Sequence, residues 1–310
     1  MFRKRILAVN AIALLVLIGI LALDLLAPFA YMRARNLLRD AITRAGRTTP
    51  QNPDLVFLAI DSDSASLEAE ADIEEMYGLH EDDSIEARGL RAMSKLWPWP
   101  REVYGLVLER LVEAGAKVVL FDLTFPTPTA GDEPFRLALE KYRDHAVIGS
   151  NFVSAASRGF TTVAASHTRP PDSLVPQTSP MDDRVAYTNF WPDEDDVVRR
   201  ARYRITFEQV QGLAPGSESE RFLSLAGRGL AKAGLNDRIP PGIDERLFRY
   251  TAPAREGFRP RSIFEIFVPD YWKRNYKSGE FFRDKIVLIG AEGNWQHDEH
   301  PTPFGSMPGP

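Results

Sequence analysis

The chain has 310 residues, of which 44% are apolar and 26% charged, a composition that excludes a largely disordered protein. Its formal net charge of −5 argues against nucleic acid as a partner, because nucleic-acid-binding domains are usually basic. The absence of cysteine excludes disulfide bonds and thiolate metal sites.

A long apolar segment follows the basic start MFRKR. From Ile6 to Ala27, only Asn10 and Asp24 are polar. Roughly 22 helical residues at about 1.5 Å each cross a hydrocarbon core of about 30 Å. A cleaved signal peptide is the alternative, but its apolar region is usually only about 7–15 residues long. We therefore predict that residues 1–30 form a cytoplasmic tip and a transmembrane anchor helix in the lipid bilayer, with the N-terminus in the cytoplasm.

The remainder divides into a short connection and one large domain. Residues 31–50 are predicted to form a helical stalk that ends at a Thr-Pro break. Residues 51–310 are expected to form an extracytoplasmic domain. Within it, residues 62–94 are acidic, rich in alanine and without a strong apolar face, so we interpret them as a partly helical surface insertion.

Short apolar runs in this domain are typical of buried strands, at 55–60, 117–122, 146–153 and 285–290. After Pro100, apolar residues recur at three- and four-residue spacing, which predicts an amphipathic helix between the first two strands. A strand–helix–strand order implies parallel pairing. The predicted fold class is therefore α/β, with a largely parallel or mixed central sheet and flanking helices, preceded by one N-terminal transmembrane helix.

Two local predictions concern the second half of the domain. Ser217-x-x-Glu220 has the spacing of a capping box and predicts a helix that runs to about Ala233. The final stretch DEHPTPFGSMPGP is rich in Pro and Gly and is predicted to be a loop.

Acidic residues follow several of the predicted strands. Asp61 follows FLAI, Asp122 ends VVLFD, and Asp298 lies in the loop after IVLIG. Ligands of open parallel sheets bind beyond the carboxyl ends of the strands, so these residues, with Asp63 nearby, are candidate ligand-binding residues. Asp61, Asp122 and Asp298 could hold a divalent cation such as Mg²⁺ or Ca²⁺, and no other cofactor is predicted. The alternative is that each Asp caps a helix or a turn.

The stretch FLAIDSDS also resembles the first motif of haloacid-dehalogenase-like phosphatases. In that motif Asp61 would be the nucleophile and Asp63 the general acid. Ser64 stands where Thr or Val is typical, and no later acidic motif with a partner lysine is evident. A metal-dependent phosphatase or another Asp-x-Asp enzyme is thus the alternative function, whereas the main prediction is that this chain is not an enzyme.

Two polar stretches could bind a metal. The stretch PDEDDVVRR at 192–200 lacks the central Gly and the final Glu of a calcium-binding EF-hand. We interpret it as an acidic turn between strands, partly paired with Arg199 and Arg200. His297 and His300 are clustered and could hold zinc, but their spacing in a loop is not diagnostic.

Two Trp-Pro pairs directly precede the amphipathic helix. Each Pro restricts the Trp before it to an extended conformation. Pro100 also fits the first helical position, where its missing N–H is not needed. We therefore interpret the set as a structural motif, which comprises Trp97, Pro98, Trp99 and Pro100.

Arg101 completes this stretch. A cation at the start of a helix is unfavourable for the helix dipole, so Arg101 needs an anionic partner. Asp61 and Asp122 are the nearest candidates that the sequence offers, and such a pairing would remove the need for a metal. Arg101 is therefore a further candidate ligand-binding residue.

In their order along the chain, these motifs resemble those of the type-two CHASE domain, an extracytoplasmic sensor module of bacterial signalling proteins. The resemblance covers most of residues 40–310, and its most specific parts are WPWPR with the following helix and strand, and the block IVLIG…D…TPF…PG. It implies sensing of an unknown small molecule or ion, and a main domain on the periplasmic or extracellular side of the bacterial inner membrane. Family members continue into membrane helices and cytoplasmic outputs such as nucleotide cyclases, histidine kinases, Ser/Thr kinases and diguanylate cyclases.

The chain departs from this family pattern in three ways. The spacer between Asp61 and Trp97 is longer than usual, and Asp196 stands where the family has Gly in an Asp-x-Asp-Gly turn. The chain stops where family members continue, so we expect it to be truncated before its membrane helices and output domain. We also expect a homodimer formed through the anchor and the stalk.

Overall fold

The computed structural model describes residues 2–67, 73, 77, 83–95, 97–155, 164–253, 256–257, 259–292 and 299–308. Asp298, His297 and most of the acidic stretch at 68–82 lie outside the described residues.

Helices and strands alternate along the chain after two N-terminal helices. The helices are α1 (Phe2–Leu26), α2 (Pro28–Ala45), α3 (Ser62–Ala65), α4 (Ile85–Met93), α5 (Glu102–Glu113), α6 (Asp132–Lys141), α7 (Phe207–Val210), α8 (Leu225–Lys232) and α9 (Pro269–Arg274). Short 3-10 helices lie at Arg143–His145, Asn236–Arg238, Ile263–Phe267 and Lys277–Phe282. The strands are β1 (Leu55–Ile60), β2 (Val118–Thr124), β3 (Ala146–Ala155), β4 (Ala164–Thr168), β5 (Val185–Tyr187), β6 (Arg200–Ala201), β7 (Arg204–Ile205), β8 (Phe222–Leu223), β9 (Arg246–Leu247), β10 (Arg261–Ser262), β11 (Ile286–Ala291), β12 (Glu299–Thr302) and β13 (Gly305–Pro308).

The apolar N-terminus forms one long helix. The segment Arg5–Leu26 has a mean hydropathy of 2.9 and is entirely exposed, so it could span a membrane. Ala27, with φ −144° and ψ 63°, separates α1 from α2. Pro28 takes a position in the first turn of α2, where its missing N–H is tolerated.

A mixed sheet forms the centre of the domain. Among the described residues, seven strands are joined in the order β10-β1-β11-β2-β3-β4, and β5 also pairs with β3. The strands are parallel except β4, which runs antiparallel to β3. The predicted α/β fold with a mixed sheet is confirmed, and the four strands predicted from apolar runs are present as β1, β2, β3 and β11.

The last long strand of the chain lies in the middle of this sheet. β11 pairs with β1 along the whole of Leu55–Ile60, and its residues Ile286–Ile289 pair with Val118–Phe121 of β2. β1 and β2 are consecutive among the long strands of the chain. They are nevertheless two strand spacings apart, a distance of about 9–10 Å.

The two faces of the sheet are covered unequally. On one face, side chains such as Leu58 and Ile289 pack in a large core with α4, α5, α6 and the 3-10 helix Ile263–Phe267. On the other face, Val118 and Leu120 pack in a smaller core with Leu225 of α8. The sheet edge at the carboxyl ends of β1, β11 and β2 therefore rests on a rigid core.

Helix α4 lies in the core rather than at the surface, although the stretch 62–94 was interpreted as a surface insertion. Ala87, Leu90 and Met93 are fully buried. The hydroxyl of Ser84 accepts the backbone N–H of Ala87 and caps the helix. A face made of one Leu, one Met and small residues is a weak sequence signal, because Ala and Gly add little to helical periodicity.

Two local predictions are wrong. Glu220 does not cap a helix; its Oε1 accepts the backbone N–H of Met181 at 2.6 Å, and α8 begins later, with Ser224 as its cap. The C-terminal stretch is not only a loop, because β12 and β13 pair as an antiparallel hairpin. Gly305, with φ +101°, supplies the left-handed residue in this hairpin.

We expect Gly89→Ala to destabilise the fold by about 1–3 kcal/mol, because overpacking a rigid core is costly. A Cβ at Gly89 would lie 2.3–2.5 Å from three ring atoms of the buried Phe267. Helix propensity alone would favour Ala by about 1 kcal/mol. The packing clash therefore decides whether the substitution lowers or raises the free energy of unfolding. Chemical denaturation of the detergent-solubilised chain, followed by tryptophan fluorescence, measures the change.

Gly216→Ala is the control for this experiment. Its Cβ would meet only the Ser219 hydroxyl, at 3.5 Å, so the free energy of unfolding should change by less than about 0.5 kcal/mol. Equal stability of the two variants would contradict the packing argument.

Candidate functional site

Asp61 directly follows β1 and caps the short helix α3. Its Oδ1 accepts the backbone N–H of Ser64 at 2.9 Å and the Ser64 hydroxyl at 2.6 Å. Its Oδ2 accepts the hydroxyl of Ser262 on β10. The capping interpretation of a strand-end Asp is therefore correct for Asp61. Asp63 is exposed in the first turn of the same helix.

Asp122 lies within β2 rather than beyond its end. The register between β2 and β3 shifts between Phe121 and Thr124, so Asp122 lies in a bulge, where strands commonly redirect a side chain. Gly149 of β3 allows this bulge to approach closely, because a Cβ there would lie 2.6 Å from the carbonyl oxygen of Leu123. Asp122 is half-buried at this position.

Glu292 is a third carboxylate at this edge, and the sequence analysis missed it. Glu292 directly follows β11, between the strands that carry Asp61 and Asp122, and its backbone N–H donates to the Ile60 carbonyl at 3.1 Å. Its position just after an apolar strand, like that of Asp61, was the available signal, although Asp298 was the residue predicted for this strand. We call Asp61, Glu292 and Asp122 the strand-end acids.

The strand-end acids are spread across three strands. In the part of the chain that the structure describes, no three His, Asp or Glu side chains form a group that could hold a metal ion. Asp298, the third member of the predicted cation site, lies outside the described residues. The cation site therefore stays a prediction.

Arg101 pairs with Asp132, and the predicted pairing with Asp61 or Asp122 is wrong. Its Nη1 donates to Asp132 Oδ1 at 2.5 Å, and its Nη2 donates to the Thr127 carbonyl at 2.5 Å. Arg101 and Asp132 are 7% and 3% exposed, so the pair is buried. The expectation that a cation at this helix start needs an anionic partner is confirmed. The partner comes from the start of α6, which sequence spacing did not indicate.

Two hydroxyl groups complete the surroundings of Asp132. Thr129 donates its hydroxyl to Asp132 Oδ1 at 2.7 Å, and Ser173 donates to Oδ2. Although burial alone would raise it, these hydrogen bonds from Ser173 and Thr129 and the charge of Arg101 hold the pKa of Asp132 below its usual value. The cluster is fully satisfied within the protein, which is typical of a structural ion pair.

The Trp-Pro motif packs into the core beside this pair. Trp99 is 3% exposed, and its ring meets that of Trp97 edge to face, with centroids 4.8 Å apart. The Trp97–Pro98 peptide bond is cis. Helix α5 begins at Glu102 with Arg101 as its cap, so Pro100 precedes the cap rather than occupying the first helical position. The burial of Trp99 supports the structural interpretation of the motif.

The acidic stretch at 192–200 forms the predicted turn. The N–H of Asp196 donates to the carbonyl of Asp193 at 2.9 Å, and the N–H of Asp193 donates to the carbonyl of Val197 at 2.9 Å. Arg199 and Arg200 both pair with Asp193, at 3.1 and 2.5 Å. The interpretation as an acidic turn paired with its own arginines is confirmed.

Asp196 adopts a left-handed backbone conformation in this turn, with φ 62°. Glycine adopts this conformation without a steric cost, and Asp is one of the few other residues that do so with any frequency. This explains why Asp stands where the family pattern has Gly.

Arg199 also binds the stalk, a contact that the sequence analysis missed. Its Nε and Nη2 donate to both carboxylate oxygens of Asp40 on α2, at 2.8 and 2.7 Å. It also donates to Asp195 at 2.7 and 3.0 Å. Arg199 and Asp40 are 4% and 7% exposed, so this bidentate pair is buried. The spacing of 159 residues between them gave no sequence signal.

The hydrogen bonds in this cluster shift the pKa values of two of its charged groups. The hydrogen bond from Arg199 holds the pKa of Asp195 below its usual value. The hydrogen bond to Asp40 and those to the turn raise the pKa of Arg199. Asn36 of α2 is also buried and donates to Asp195 at 3.4 Å. We call Asn36, Asp40, Asp193, Asp195 and Arg199 the stalk latch.

The C-terminal hairpin adjoins the stalk latch. Arg44 of α2 donates to the carbonyl of Pro303 at 2.9 Å, between β12 and β13. The N–H of Val198, next to Arg199, donates to the carbonyl of Pro301 at 2.9 Å. The hairpin therefore contacts both α2 and the acidic stretch at 192–200.

Removing Asp132 should test the structural role of the Arg101 pair. We expect Asp132→Ala to destabilise the chain by about 3–5 kcal/mol, because it leaves a buried cation without its counter-charge. Denaturant unfolding of the solubilised chain measures this loss. The neighbouring Glu133→Ala is the control, because Glu133 is 64% exposed and pairs with Arg136 at the surface. A similar loss of stability in both variants would show that the buried pair stabilises the fold no more than the surface pair does.

Neither the curated proteins nor the solved structures include a match to the chain. The family model of the CHASE2 domain matches residues 11–310, nearly the whole chain. The chain therefore belongs to the CHASE2 domain family, and a CHASE2 domain is an extracellular sensory domain of signalling receptors.

Proposed function

We propose that this chain is the membrane-anchored, extracytoplasmic ligand-sensing domain of a bacterial signal-transduction receptor. Family membership supports the sensory role. The apolar helix Arg5–Leu26 supports anchoring, and the basic residues before it favour a cytoplasmic N-terminus. In this arrangement the sheet domain lies outside the inner membrane, and its output is a cytoplasmic activity of the receptor.

The observation that carries this proposal is the docking of α2 by the stalk latch. A sensor needs a connection between the ligand-binding domain and the membrane. Here the helix that follows the anchor is held by a bidentate, buried ion pair between Asp40 and Arg199. Such a pair is strongly directional, so a change in the domain that moves the acidic turn also moves the helix.

The strand-end acids are the proposed ligand-binding region, and the chain itself links them to the stalk. Glu292 is separated by only a short segment from Glu299, where the hairpin that contacts Arg44 begins. A ligand that binds the strand-end acids with different affinity for two arrangements of the domain shifts the populations of these arrangements. Carboxylates at this edge favour a cation or a ligand with a positively charged group.

The phosphatase alternative has less support. Both carboxylate oxygens of Asp61 accept hydrogen bonds from Ser64 and Ser262, which favours a capping role over that of a nucleophile. Asp63 is exposed in the first turn of α3. A phosphatase assay with Mg²⁺ tests this alternative. Activity that is abolished by Asp61→Asn would favour the phosphatase function over the sensory one.

A ligand at the strand-end acids should stabilise the chain. Thermal unfolding of the detergent-solubilised chain is measured with Mg²⁺, Ca²⁺ and a set of small amines and metabolites. A ligand present at about 100 times its Kd stabilises the folded state by about 2.7 kcal/mol, which raises the Tm by several degrees. We expect Asp122→Asn to remove this shift, while Asp270→Asn, an exposed surface site, retains it.

Two outcomes would oppose this assignment. One is a shift that survives in both Asp122→Asn and Glu292→Gln, which would place the ligand elsewhere. The other is that no compound in the set changes the Tm.

Loss of the buried ion pair should release α2. We expect Asp40→Asn to make α2 at least about tenfold more sensitive to trypsin, because the opening free energy falls by more than about 1.4 kcal/mol when a buried pair is broken. The rate of cleavage at Arg35 and Arg39 is measured on the full chain by mass spectrometry. Asp270→Asn is the matched control, since its pair with Arg274 is more than 70% exposed. Equal cleavage of both variants would rule out the latch.

A further inference from the structure

The stalk helix α2 has an apolar face that its own domain leaves exposed. Leu37, Leu38 and Ile42 are 59%, 63% and 63% exposed. At about 100° per residue, the exposed apolar positions from Ala30 to Ala45 cover an arc of about 140° on the helix. These positions are Ala30, Ala34, Leu37, Leu38, Ala41, Ile42 and Ala45. We call them the outer face of α2.

The outer face lies opposite the docked side of the helix. Asn36 and Asp40, which belong to the stalk latch, are buried against the domain. The arc of the outer face contains no charged residue, because the four arginines of α2 lie outside it. Two of them are directed to their own chain: Arg44 donates to the Pro303 carbonyl, and Arg35 lies 5.9 Å from the Tyr31 ring centre.

The composition of the outer face favours a helix as its partner. Four of its seven residues are alanines, which allow two helix backbones to approach closely. Helices that lie on a membrane surface instead carry large apolar residues such as Trp, Phe and Leu across their apolar face. The positions Ala30, Ala34, Leu37 and Ala41 also follow the four-three-four spacing of a coiled-coil seam.

The membrane anchor indicates which helix this is. α1 precedes α2 with only Ala27 between them, so two copies in one bilayer present their α2 helices in the same direction and at the same height. Confinement to the bilayer also raises their effective concentration, which a short seam needs in order to associate. We propose that the outer face of α2 is a parallel homodimer interface, so that each helix contacts its own domain on one side and the second copy on the other.

Cysteine cross-linking in membranes tests this interface directly. The natural chain has no cysteine, so each introduced residue is unique. Ala34→Cys and Ala41→Cys place a thiol near the centre of the outer face, where a two-fold axis brings the two copies within disulfide range. Membranes that contain the full chain are oxidised with copper phenanthroline, and disulfide dimer is quantified on non-reducing gels.

Two controls separate the interface from random collision. Arg33→Cys lies about 100° around the same helix, and Leu137→Cys lies on α6 at a position that is 52% exposed. We expect at least tenfold more dimer from the two outer-face variants than from these controls. Leu38→Arg, combined with Ala41→Cys, should remove the dimer while the unfolding midpoint stays unchanged, because Leu38 is exposed in one copy.

Each other result counts against the interface. Equal cross-linking at all four positions, or none at Ala34→Cys and Ala41→Cys, overturns it. Protection of these two thiols from a membrane-impermeant maleimide without cross-linking assigns the face to lipid or to another protein. The inference rests on the proposed anchoring but not on ligand sensing. Extraction of the chain by alkaline carbonate therefore overturns the anchor and this inference together, whereas a retained chain that fails to cross-link overturns the dimer alone.

Discussion

The guanidinium group of Arg199 joins the stalk to the sensor domain. A buried cation costs several kcal/mol unless acceptors surround it, and Arg199 meets carboxylates from the acidic turn and from α2. Neither partner alone satisfies this residue, so the turn and the stalk hold each other in place. The fork to Asp40 depends on angle as well as distance, and a rotation of α2 weakens both hydrogen bonds at once. Docking of the stalk is therefore close to an all-or-none property.

The elements with strong local signals could be predicted from the sequence. The long apolar N-terminal helix, the buried parallel strands and the amphipathic helix after Pro100 depend on apolar patterns that a short window contains. The order of strands in the sheet does not depend on such local patterns, because β11 lies between β1 and β2 although it is distant from both in the sequence. Helix α4 was misjudged because Ala87 and Gly89 are buried without adding to the apolar pattern.

The candidate site shows the same division. The need of Arg101 for an anion followed from its position at a helix start, and the pairing of Arg199 with the acidic turn followed from their proximity in sequence. The actual partner of Arg101, Asp132, and the contact of Arg199 with Asp40 depend on tertiary packing, which no local pattern encodes. The acidic edge of the sheet was anticipated at Asp61 and Asp122. Glu292 also follows an apolar run in the sequence, but its place between these two residues depends on the strand order.

The central position of β11 has a consequence for biogenesis. A chain exported from its N-terminus delivers β1 and β2 early, but both have β11 as their neighbour in the finished sheet, and β11 follows every other strand that the structure describes in that sheet. Until then the apolar strand β1 has an unpaired edge, and such edges promote association between chains. Sheets built from distant segments also form slowly. The central sheet is therefore completed only after β11 has been exported. Any fragment that ends before Ile286 is left with an open sheet.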